Sequence, residues 1–189
     1  MRCITAALSA VGLLLAGAGP AGATPADGPV PPGPVASGNP EFTANVMAPL
    51  KVTDWAAFEG DLATVAGYGV DAVSVDVWWG DVEGTADNRF DWAYYDRVFE
   101  TITSHGLDIA PILSFHQAGG NVGDDHTSLL PSWLWEKYAD VTHRGVLLGP
   151  TGLQHRSEQG NTSAESVQGW ADRVVMGEYR DFTRAFEQQ

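Results

Sequence analysis

A chain of 189 residues is long enough for one domain with a sizeable core and too short for two large ones. Its 10 Lys+Arg against 24 Asp+Glu give a formal charge of -14, which leaves no basic stripe for a phosphate backbone and excludes nucleic acid as an expected partner. Apolar residues at 44%, with seven Trp, seven Phe and five Tyr, exclude a disordered chain and suit either an aromatic core or rings that stack on sugars.

In chain order, Met1 and Arg2 give a short positive start, and Ile4 to Ala18 form an apolar run too short to span a bilayer. Ala21-Gly22-Ala23 then offers a small-residue cleavage site. Residues 1–23 are therefore expected to be a secretory signal peptide, with a secreted, extracellular product and no membrane association once it is removed. Cys3 is the one cysteine and lies inside that segment, so the mature chain is expected to hold no disulfide, thiolate nucleophile or zinc cluster. Residues 24–43 are rich in Pro and Gly and read as an extended linker, with the folded portion over 44–189.

The run Asn45 to Leu50 reads as a strand entering a loop at Pro49. A helix follows, capped by Thr53 or Asp54, with Trp55, Phe58, Leu62 and Val65 on one face and Gly67 and Gly69 at its end. Asp71 to Trp79 reads as a buried strand, and Asp91 caps a second helix whose face is Trp92, Tyr95, Phe99 and Ile102. The third strand spans Ile109 to Phe115. A long irregular stretch then carries a short helix near Pro131 to Tyr138, and Trp170 to Phe186 returns to helical spacing through Val175, Tyr179, Phe182 and Phe186. Strands alternating with amphipathic helices predict an α/β fold with a parallel sheet, an incomplete (β/α)8 TIM barrel of about three βα units. A doubly wound open sheet is the structural alternative; a nucleotide-binding version of it lacks a Gly-rich turn after the first strand.

In such barrels the chemistry sits at the C-terminal ends of the strands, where this sequence has Asp76 and His116. Asp76 beside Trp78-Trp79 suits a clamp in which the carboxylate accepts from sugar hydroxyls while rings cover apolar faces. It equally suits a capping or loop aspartate with core tryptophans, and His116 equally suits a ligand contact or a cap on the sheet. Gly119, Gly120 and Gly123 make the following loop able to move or to approach a ligand closely. His105, His126, His143 and His155 show no ligand spacing and read as surface or loop residues.

The string His116-Gln117-Ala118-Gly119-Gly120-Asn121-Val122-Gly123-Asp124, preceded by Met47-Ala48-Pro49-Leu50 and Val75-Asp76-Val77-Trp78-Trp79-Gly80, resembles beta-amylase, especially the secreted bacterial branch. The resemblance covers Ala44 to Phe186. It implies a glycoside hydrolase that releases maltose from the non-reducing ends of α-1,4-glucans such as starch, with inversion. It further implies that Asp76, His116 and Asp124 hold the substrate and that Gly119 to Asp124 is a mobile lid. Ala118 stands where the family usually has Cys. A calcium site is implied at Glu83, Asp87, Glu178 and Asp181, the last one methylene shorter than the family's Glu; a solvated acidic face is the alternative.

The family's general acid lies in a Glu-Leu-Arg-Tyr-Pro segment downstream of the helix matched by Glu178 to Phe186, and its base lies farther on. Both catalytic Glu are therefore expected beyond Gln189, and the chain is expected to be a truncated N-terminal portion, inactive alone. A non-catalytic glucan-binding fragment and another secreted barrel glycosidase are the alternative readings.

Overall fold

Regular structure in the computed structural model, which describes residues 43–189, begins where the sequence turns apolar. The expected signal peptide over 1–23 and the expected linker over 24–43, save its last residue, lie outside the described residues. Strand β1 (Asn45–Met47) leads to helix α1 (Trp55–Gly67), and β2 (Ala72–Trp78) to a short α2 (Trp79–Glu83) and then α3 (Ala93–Ser104). After β3 (Asp108–Ser114) come α4 (Trp133–Lys137), a hairpin of β4 (Thr142–His143) and β5 (Val146–Leu147), a hairpin of β6 (Gln154–Arg156) and β7 (Thr162–Val167), and α5 (Asp172–Glu187).

Local chemistry explains the helix starts. Asp54, rather than Thr53, caps α1 by accepting the Ala57 N–H at 3.0 Å, and Asp91 accepts the Ala93 N–H at 3.1 Å just before α3. Of the residues spaced three and four apart, Phe58 and Leu62 of α1, Tyr95 and Ile102 of α3, and Val175 and Phe182 of α5 are buried; Val98, outside the expected stripe, is buried as well.

The three main strands pair in the order β1-β2-β3, all parallel, with Met47 opposite Ser74 and Asp76 opposite Ile112. Alternation along β2 separates two faces. Val73, Val75 and Val77 are buried in one cluster with Phe58, Leu62, Val98 and Ile102. Ser74, Asp76 and Trp78 share the opposite face with Met47, Ile112 and Ser114, and there Met47 is 59% and Ile112 41% exposed. A sheet covered by helices on one side and open on the other is a piece of barrel wall; a doubly wound sheet would be covered on both.

Two expectations change. Trp79 begins α2 instead of extending the strand, because the Trp78 N–H donates to the Tyr95 hydroxyl at 2.9 Å and Gly80 lets the chain turn against Leu129. A Cβ at Gly80 would stand 1.6 Å from the Leu129 carbonyl oxygen. The stretch read as irregular after His116 also contains the two hairpins. The first turns through Arg144 and Gly145 at φ 51 and 78, a two-residue turn whose arginine gives no sign of a positive φ in the sequence.

Trp79 is consequently a core residue, with Phe115, Trp133 and Tyr179 in edge contact at ring-centroid distances of 5.6, 5.9 and 5.5 Å. Such pairs contribute roughly 0.5–1.5 kcal/mol each beyond the area they bury, and these fasten α4 and α5 to the strand layer. Tyr95→Phe would leave the buried Trp78 N–H without its acceptor. The expected cost is about 1–3 kcal/mol of stability, read as a lower urea midpoint with an unchanged slope.

Candidate functional site

The open face of the sheet ends in a group of polar side chains. Asp76 sits near the C-terminal end of β2, half-buried, and its Oδ1 accepts from the Ser114 hydroxyl of the neighbouring strand at 3.2 Å. Trp78, two residues on and on the same face, is 4% exposed and meets the exposed His116 ring edge-on at a centroid distance of 5.5 Å. The structure thus brings Asp76 and His116 to one end of adjacent strands, as the strand-end rule expects. It does not offer Trp79 to a sugar face, because that ring is enclosed in the core. The Trp78 indole N–H, buried beside His116, has no acceptor among the described residues.

Past His116, residues 118–128 form a loop pinned at its base by a two-way backbone pairing, Ala118 N–H to the Ser128 carbonyl at 3.0 Å and Ser128 N–H to the Ala118 carbonyl at 3.1 Å. Gly119, Gly120 and Gly123 adopt φ of 72, 97 and 101, a path that side chains resist. Asp124 is exposed and turned into its own loop, where its Oδ2 accepts the Asn121 N–H at 2.7 Å. It does not line the cavity of about 340 Å³ bounded by His116, Gln117, Gly119, Asn121, Glu165 and Ser166. Glu165 comes from β7, which the Gln117 N–H reaches by donating to the Glu165 carbonyl at 2.7 Å. That wall has no sequence signal, since it depends on an unforeseen hairpin.

The return leg of the loop is held by a charge cluster that sequence reading also missed. Asp81 of α2 lies 2.8 Å from the Lys51 ammonium and 3.2 Å from His126 Nε2. The histidine nitrogen lies close to the carboxylate without making a hydrogen bond to it. Lys51 in turn lies over the Tyr94 ring, 3.7 Å from its centroid. Burial works to raise the Asp81 pKa, but hydrogen bonds from Lys51 and Ser128 and the charges of Lys51 and His126 outweigh it and hold the carboxyl below its ordinary value. His126, read as a surface or loop residue, is therefore part of the loop's anchorage.

On the far side of α2 lies the carboxylate group for which calcium was expected. Glu83, 2% exposed, accepts from Trp79 Nε1 at 2.7 Å with one oxygen and from the Asn88 N–H at 2.6 Å with the other. Burial first, then the charges of Asp87 and Glu178, push its pKa up against those two hydrogen bonds. Asp87 and Glu178 converge on one point, but that point is the Lys137 ammonium, 2.7 Å from each. Tyr138 also donates to Glu178. Asp181 stands apart and half-exposed, with Arg184 and Arg180 at 3.8 and 3.9 Å.

So placed, these residues do not fit a calcium ion, which takes roughly six to eight oxygens: a cationic nitrogen occupies the convergence point and both Glu83 oxygens are already engaged. No three His, Cys, Asp or Glu side chains among the described residues are arranged to hold a metal.

Known proteins resemble this chain in sequence and in fold. The profile of glycosyl hydrolase family 14 matches residues 45–189. The beta-amylase of Bacillus cereus is 38% identical over 152 residues, covering 78% of this chain and 26% of that protein. The beta-amylase of Niallia circulans is 52% identical over 98 residues, covering 51% of this chain and 17% of that protein. The crystal structure of the catalytic domain of beta-amylase from Paenibacillus polymyxa matches with a TM-score of 0.66 and 37% identity, covering 78% of this chain and 33% of that one. The chain thus spans roughly a quarter or less of the length of the curated relatives it matches.

The lowered pKa of Asp81 has a definite sign. Its folded value lies below the ordinary 3.8, so its stabilisation is fully present above that value and fades as pH falls through the folded one. Asp81→Asn is expected to cost about 1–3 kcal/mol at neutral pH, with the gap to the parent chain narrowing in strong acid. Urea midpoints measured across that range would check both the size and the slope.

Proposed function

This chain belongs to glycosyl hydrolase family 14, and from that premise we propose that it forms the glucan-gripping part of a secreted beta-amylase acting on α-1,4-linked glucose chains. The observation that supports this most directly is the placement of Asp76 near the C-terminal end of β2 and of His116 just past the end of the adjacent parallel β3, where a glycine-rich loop follows. Secretion rests on the N-terminal pattern over residues 1–23. No helix among the described residues is long and apolar enough to cross a membrane.

The chemistry follows from the positions. Ser114 engages one oxygen of Asp76 and leaves the other to accept from a sugar hydroxyl, a charge-assisted bond aimed out of the open face. His116, braced edge-on by Trp78, offers a ring nitrogen to a second hydroxyl. Asp124 spends one oxygen on the Asn121 N–H and keeps the other for a glucan hydroxyl, so loop closure has to carry that free oxygen to the ligand. In the inverting reaction one carboxylic acid protonates the leaving oxygen and a second carboxylate activates water; in this reading both lie outside these residues and the chain's own contribution is to hold the glucan.

Titration of the purified chain with maltose, followed by calorimetry or by the NMR signals of His116, is expected to show saturable binding. Asp76→Asn should weaken it by about tenfold, the equivalent of ~1.4 kcal/mol, and unchanged affinity would sink the reading. For the complete enzyme, polarimetry of the first product is expected to show the β-anomer, because retention contradicts an inverting mechanism. Maltose release by these 189 residues alone would mean that a carboxylate pair within them does the chemistry.

A further inference from the structure

We propose that Lys137 does in this chain the linking work of a bound divalent cation, so that Asp87 and Glu178, beside Glu83, are bridged from within and the cluster takes up no calcium. This inference stands apart from the glucan reading. Its basis is geometric: a single ammonium lies 2.7 Å from Asp87 Oδ2 and 2.7 Å from Glu178 Oε1, joining the segment after α2 to α5 through the last residue of α4. It is flanked by two rings, with the Trp133 and Tyr138 centroids 5.4 and 5.8 Å away. Rings present their negative faces to a cation, and such an arrangement favours the charge that is already there.

The remaining donors are committed in the same sense. Glu83 spends one oxygen on Trp79 and the other on the Asn88 N–H, while Trp133 donates its indole N–H to the Glu83 carbonyl at 2.7 Å. Tyr138 donates to Glu178. A calcium ion bridging Asp87 and Glu178 at roughly 2.3–2.6 Å from their oxygens would have to displace the ammonium from between them and abandon its hydrogen bonds. Lys137 carries one charge, reaches its place on a flexible stem and needs no free ion. The element linkage that a metal supplies conditionally is here made by the polypeptide whenever it folds.

The decisive measurement is calcium binding by the full chain, using calcium itself as the probe. For the parent chain, calorimetry is expected to show no uptake at millimolar calcium, and its melting temperature should be the same in EDTA and in calcium. Saturable uptake, or a melting temperature that EDTA lowers and calcium restores, overturns the proposal. Lys137→Gln, which removes the charge and keeps a hydrogen-bonding head, should melt several degrees lower in EDTA and regain stability with calcium. Lys137→Arg should remain calcium-indifferent. A folded Lys137→Gln variant that neither loses stability nor gains calcium binding also overturns it. If that variant does not fold, the titration of the parent chain and of Lys137→Arg still decides.

Discussion

A parallel strand can hide its side chains beneath helices on one face only if the other face has somewhere else to go, and β2 makes that division residue by residue. Three valines go under α1 and α3, while Ser74, Asp76 and Trp78 face the opposite way. Burying Val73, Val75 and Val77 fixes the register, because a slip of one residue would drive Asp76 into the apolar layer and expose the valines. The Asp76 carboxylate is thus held on the open face by the hydrophobic demand of its neighbours.

What β2 sets up, α2 distributes. Five residues carry four different attachments: Trp79 enters the aromatic core, Gly80 lies against the Leu129 backbone, Asp81 grips Lys51 and His126, and Glu83 accepts from Trp79 and Asn88. A helix this short has no stability of its own and persists because each face is fixed by something outside it. The glycine-rich loop and the acidic cluster are therefore anchored on the same turn, one on each side.

Much of this was legible in the sequence where period and burial agree. Most inward residues of α1, α3 and α5, a cap at Thr53 or Asp54 and the strand-end positions of Asp76 and His116 follow from spacing and from the strand-end rule, sharpened by the resemblance of the His116 to Asp124 string. Illegible were features that depend on tertiary meetings. Trp78-Trp79 looks the same in sequence whether its rings face sugar or core, and only the turn at Gly80 sends Trp79 inward. Lys137 and Asp87 are 50 residues apart, so no local spacing announces their contact. Two-residue strands such as β4 and β5 are too short to show alternation, and Arg144 at φ 51 conceals the turn between them.

The antiparallel pairing of Ala118 with Ser128 bears on how the glycine loop can move. With both roots clamped together, residues 119–127 form a closed ring whose end-to-end entropy was already lost when the protein folded. Any swing of that ring is then a rotation about fixed pivots, spread over the backbone torsions between them. Its amplitude is limited by ring size, and its rate by local torsional barriers instead of by the search of a loose tether.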